Sequence, residues 1–142
     1  MRKAIGVAVG LLALSGCSPQ DPEQGEPQAS VADPSLCQFA AGPCVSGGLA
    51  LSLSPHHAPS EKPLALSLAL KPGERAVEAR IEGRDMFMGV IPVRFDDRGQ
   101  AQAIYGSCAS DYMVWRLTVT LENAEGERYS RWFDWLADAP TG

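Results

Sequence analysis

The sequence predicts an all-β domain: a single antiparallel sandwich of immunoglobulin type, with about seven strands. Three observations carry that reading. From residue 45 onward apolar residues recur at every second position. The alternating runs are six to ten residues long, and turn-forming clusters separate them. No segment sustains a helical period. Seven short strands in about 100 residues, with polar side chains alternating outward, suit two packed sheets. A small closed barrel is the alternative arrangement.

Taken in order, Val45 to Leu53 is apolar and alternating and reads as one strand. Leu64, Leu66, Leu68 and Leu70 alternate strictly with Ala and Ser. Val77, Ala79 and Ile81 alternate with Glu78, Arg80 and Glu82. Phe87 to Phe95 reads as a longer strand and Gln100 to Tyr105 as a short one. Met113, Trp115, Leu117, Val119 and Leu121 give the clearest period of two, and Tyr129 to Leu136 closes the set. Turn chemistry marks the breaks at Lys71-Pro72-Gly73-Glu74, Asp96-Asp97-Arg98-Gly99 and Asn123-Ala124-Glu125-Gly126.

The ends of the chain read differently. Arg2 and Lys3 precede an apolar run, Ala4 to Leu14, of signal-peptide length and too short for a permanent span. The run ends in Leu14-Ser15-Gly16-Cys17, which resembles the lipobox of bacterial lipoproteins. The resemblance implies cleavage before Cys17 and acylation of Cys17, palmitate among the chains. With Ser18 next, it also implies the outer membrane in a Gram-negative host, the protein facing the periplasm. Several acyl chains hold a protein to a membrane in effect permanently. The organisation expected is a signal peptide over 1–16, lipidated Cys17 and a Pro-rich tether over 17–35, the sandwich over 36–136, and a flexible tail over 137–142.

Loss of residues 1–16 removes two positive charges and no negative ones, so the net charge moves from −5 to −7. An acidic mature protein does not suit nucleic acid or an anionic lipid surface. The expected partners are the membrane, through the lipid, and an envelope protein. Nor does the sequence offer an enzyme. It has no phosphate-cradling glycine loop and no His-Glu-x-x-His. No nucleophile, base and orienting group stand where this fold would assemble them.

If consecutive strands run antiparallel, their connections alternate between the two ends of the sandwich. One end then collects Ser54–Pro63 (with His56 and His57), Gly83–Met86, and Ser107–Tyr112 (with Cys108). Cys44, at the start of the first strand, falls at the other end. Apart from Cys17 there are three cysteines, Cys37, Cys44 and Cys108, in an oxidising compartment. Loop-closure entropy gives about 2.5 kcal/mol to Cys37–Cys44 and about 4.3 to the longer Cys44–Cys108. Placing Cys44 and Cys108 at opposite ends decides for Cys37–Cys44. No Cys-x-x-Cys redox spacing is present.

In the Phe87–Phe95 strand, Phe87, Ile91, Val93 and Phe95 share the core face. Met86 and Met88 then point outward, near Cys108 and the histidine pair. A bulge near Pro92 would reverse these faces. Met86 and Met88 with a thiol and imidazoles form a soft ligand set suited to Cu(I). The plainer reading is gap-filling methionines, solvated loop histidines and a buried thiol. Met113 and Trp115 read as core.

Gly83-Arg84-Asp85-Met86-Phe87-Met88-Gly89, with Gly106-Ser107-Cys108 and Met113-Val114-Trp115, resembles small periplasmic proteins similar to the FixH/YtkA-like β-sandwich group. The resemblance runs over roughly residues 37 to 136. It implies a β-sandwich in the envelope linked to respiratory-oxidase assembly and copper handling. The chain lacks the paired His-Met motif of copper chaperones. Two functions follow as expectations. The first is a lipid-anchored, non-enzymatic binding or assembly module whose loop end meets a partner protein. The alternative is a Cu(I) carrier or accessory factor for oxidase assembly, using Met86, Met88 and Cys108 with His56 and His57 nearby; no other cofactor is expected.

Overall fold

The computed structural model describes residues 33–107 and 113–139. Eight strands form in it: β1 (Cys44–Ser46), β2 (Leu49–Ser54), β3 (Leu64–Leu68), β4 (Arg75–Gly83), β5 (Val90–Pro92), β6 (Gln100–Ala103), β7 (Val114–Glu122) and β8 (Arg128–Leu136). They make two four-stranded antiparallel sheets, ordered β1-β2-β3-β6 and β5-β4-β7-β8. With β2, β3 and β6 as strands A, B and E, and β4, β7 and β8 as C, F and G, this is the immunoglobulin-type order.

Alternation explains the layers. On β7, Trp115, Leu117, Val119 and Leu121 are all essentially inaccessible, while Arg116, Thr118, Thr120 and Glu122 lie on the outer face. Leu51, Leu53, Leu64, Leu66 and Leu68 of the first sheet meet them, together with Ile81, Phe133 and Trp135 of the second. Each such side chain contributes roughly 1.5–3 kcal/mol on burial. Tyr105 stacks on Trp115 with ring centroids 4.7 Å apart. Its hydroxyl donates to the Ala58 carbonyl at 2.6 Å and accepts from Trp135 Nε1 at 3.2 Å.

Three strands differ from the sequence reading. Val45–Leu53 is a hairpin rather than one strand: Gly47 and Gly48 both have positive φ (53° and 84°), the two-residue turn whose twist matches antiparallel strands. On β4 the register slips between Ala76 and Glu78, so Ala76 packs on the core and Val77 sits in a bulge. The strand expected over Phe87–Phe95 shrinks to Val90–Pro92. Gly89, at φ 83°, breaks its first half, and Pro92 brings no N–H to the edge.

Cys37 and Cys44 form a disulfide, with Cα atoms 5.4 Å apart. The pairing matches the expectation, but the reason given for it does not hold. The unread Gly47–Gly48 turn reverses the chain, so Cys44 pairs in register with Leu51, midway along β2. Cys37 N donates to Asp134 O on the free edge of β8 at 2.7 Å. The disulfide therefore ties one sheet's edge to the other's. At the C-terminus, residues 137–139 are bonded to the rest of the domain, and residues 140–142 lie outside the described residues. Ala137 is buried, Asp138 N donates to Ala58 O, and Ala139 N donates to His57 O.

Candidate functional site

The loop between β4 and β5 is the most exposed apolar segment among the described residues. Met86 is 50 %, Phe87 83 %, Met88 38 % and Val90 50 % accessible. The loop is held close to the sheet at its root. Arg84 N donates to Val114 O at 2.9 Å. Gly83 lies against the Met86 carbonyl oxygen and the Met113 methyl group, with no room for a Cβ. Met113 is buried beneath, as expected. The core thus supports a turn that sends Phe87 into solvent.

Charge surrounds the root of this loop. Arg116 and Asp134 form a two-point pair, Nε–Oδ1 at 2.7 Å and Nη2–Oδ2 at 2.8 Å. Arg84 bonds Asp85 and stands 3.7 Å from Asp134. The hydrogen bond to Asp85 raises the Arg84 pKa, and the bond to Asp134 raises that of Arg116. Both guanidiniums stay charged and fixed in direction, as a bidentate pair requires. Glu82 and Asp33 complete the surround.

Of the loops expected at one end, Ser54–Pro63 and Gly83–Met86 meet there through Ala58, Met113 and residues 137–138, while residues 108–112 lie outside the described residues. Glu61 N donates to Tyr105 O, Ser107 donates to Glu61, and Ser60 donates to Asp138. The incoming chain arrives at the same end. Leu36 covers Val114 and Leu136, and the Asp33 carboxylate is close enough to Arg84 for their charges to attract.

Met86 and Met88 are both outward, as read from the sequence. Phe87 is not on the core face; the Gly89 break uncouples it from Ile91, Val93 and Phe95, which do pack inward. His56 lines a separate groove with Phe39 and Pro43, and His57 supplies its backbone carbonyl to Ala139. Neither histidine lines the groove beside Met86. Cys108 and Cys17 lie outside the described residues. Among the described residues no group of three or more His, Cys, Asp or Glu is placed to hold a metal ion.

Sequence reasoning missed two further features. Trp132 is 56 % exposed on the outer face of β8, opposite in parity to the buried Phe133 and Trp135. Glu74 is buried and accepts a hydrogen bond from Tyr129 in a pocket at the far end, also lined by Lys71 and Arg131. Parity along β8 carried the first signal; nothing local in the sequence paired the second. No family model, curated protein or solved structure matches the chain.

Proposed function

We propose that this protein is a non-enzymatic binding module, held to a membrane of the bacterial envelope through lipid on Cys17, whose Met86–Val90 loop docks on an envelope protein. One observation carries the reading: Phe87 is 83 % exposed at the tip of a loop whose neighbours are also apolar and exposed. Leaving that surface in water forgoes the transfer energy a folded chain normally gains. A contiguous exposed apolar patch with a polar surround marks an interaction surface. Aromatic and methionine side chains over a fixed, charged base suit the buried centre of an interface. The lipobox resemblance supports the anchor.

The test compares the full chain with Phe87→Asp. Each is passed over detergent-solubilised envelope and retained proteins are quantified. A partner retained by the wild type and lost by an equally stable Phe87→Asp supports the reading. Identical retention by both chains would remove it.

The second reading is Cu(I) carriage by Met86 and Met88. The exposed thioethers two residues apart favour it, since soft sulfur donors suit Cu(I). Titration with Cu(I) against a competing chelator tests it. Equal affinity in wild type and Met86→Leu/Met88→Leu would dismiss it.

A further inference from the structure

The described chain begins beside the apolar loop. Asp33 lies within range of the charge on Arg84, the residue that opens the loop. Leu36 packs on Val114, whose carbonyl receives Arg84 N. From there the chain follows the β8 edge at Asp134 and enters the sandwich at Phe39, against Trp135. Entry point and loop therefore share one end, and the Gly47–Gly48, Lys71–Glu74 and Asn123–Gly126 turns occupy the other.

We infer that the loop's partner is an integral protein of the same membrane that holds the lipid, presenting an apolar pocket with a basic rim at the membrane surface. This rests on the binding reading and on the anchor proposed above. Sixteen residue steps join Cys17 to Asp33. Whatever their conformation, they span at most about 55 Å. The nine-residue β7 and β8 make the sandwich about 30 Å long. Turning the loop away from the membrane uses more than half of that reach. Facing the loop toward the membrane uses none. A partner in the same membrane also meets the loop at the high effective concentration a short linker gives, so a single small apolar contact suffices.

Charge selects a protein over the bilayer itself. Around the loop, four carboxylates (Asp33, Glu82, Asp85 and Asp134) face three guanidiniums, Arg80, Arg84 and Arg116. That net negative surround is repelled by anionic lipid. Sinking Phe87 into hydrocarbon would also strip water from the neighbouring Arg84–Asp85 pair with nothing to replace it. A pocket edged by Lys or Arg answers both the apolar tip and the acidic surround.

The test is photo-crosslinking of the full chain in its own membrane, with benzoylphenylalanine at position 87 and, as a control, at position 45. Val45 is 66 % exposed on β1, away from the loop. Mass spectrometry identifies each adduct, and the intact mass of the purified chain reports acylation. The expected result is an adduct at position 87, absent at position 45, with a protein that has membrane-spanning segments. Asp85→Arg, in a chain of unchanged melting temperature, should lower its yield at least about fivefold by setting like charges together. An adduct with a soluble protein, or with lipid alone, overturns the inference and leaves the anchor standing. An undiminished yield in Asp85→Arg overturns the basic rim. No adduct from an acylated, folded chain removes the binding reading itself, whereas a chain without acyl groups removes the anchor.

Discussion

The Met86 carbonyl oxygen rests so close to Gly83 that a side chain at position 83 has no space. The Met113 methyl group closes the same site from the core side. Residue 83 is thus a hinge point where the core dictates the path of an exposed loop. Gly83→Ala should destabilise the fold by about 1–3 kcal/mol, the usual cost of overpacking, and shift the amide resonances of Met86 and Phe87. Denaturant unfolding and a two-dimensional NMR spectrum check both. A variant as stable as the wild type, with an unmoved loop, would overturn this role for Gly83.

Phe87 contributes little to the fold and much to the proposed contact. Phe87→Asp should leave stability within about 0.5 kcal/mol, as surface substitutions do. Partner affinity should fall by at least about 2 kcal/mol, roughly thirtyfold. Met86→Leu with Met88→Leu keeps the apolar surface and removes both thioethers. Binding measured by calorimetry should survive that pair of changes. Loss of function in the leucine variant, with Phe87→Asp still active, would favour the copper reading over the docking one.

The Cys37–Cys44 disulfide should contribute about 2.5 kcal/mol. Cys37→Ser with Cys44→Ser should lower the unfolding midpoint accordingly. The segment around Phe39 should lose amide protection first, because its lead-in at Cys37 is bonded only to the β8 edge. Hydrogen exchange on oxidised and mutant chains reads this directly. Uniform loss of protection across both sheets would mean that the strap formed by residues 36–43 is not a separate unit.

Tyr129 predicts an alkaline limb. Partial burial and the bond to Glu74 push its pKa up to about 12 from an ordinary 10. The folded state holds this proton more tightly than the unfolded chain does. Its contribution is therefore complete below about pH 10 and is lost as pH rises through about 12. After allowance for partial exposure the effect is on the order of 1–2 kcal/mol. Tyr129→Phe should flatten that part of the stability profile, and at neutral pH should cost about 1–3 kcal/mol by leaving the Glu74 carboxylate short of a donor. Equal slopes in both proteins between pH 10 and 12 would rule this out.

The sandwich was legible because alternation is a direct image of a two-faced sheet. Trp115, Leu117, Val119 and Leu121 declare their face in the sequence, and the structure buries all four. Three departures from that pattern come from glycine and from register. Gly47-Gly48 falls inside a run that alternation alone makes one strand, although two adjacent glycines supply the positive φ values of a tight turn. Gly89 breaks the period that assigned Phe87 to the core. Strict alternation puts Val77 in step with Ala79 and Ile81, and a bulge interrupts that alternation. The loop's charged surround was not legible, because Arg116 and Asp134 meet only through the pairing of β7 with β8.

The disulfide also sets how the domain would bear a mechanical load. On the proposed anchor, force applied at Cys17 would reach Leu36 and Cys37 first, and Cys37 is linked covalently to Cys44 in the β1–β2 hairpin. Tension therefore bypasses residues 38–43 and arrives at an edge strand of the first sheet, while the Cys37–Asp134 bond loads the edge of the second. The oxidised domain should resist extension as one body. After reduction, the strap should peel from β8 before either sheet yields, and pulling the tether in a single-molecule trap should then show an added early step.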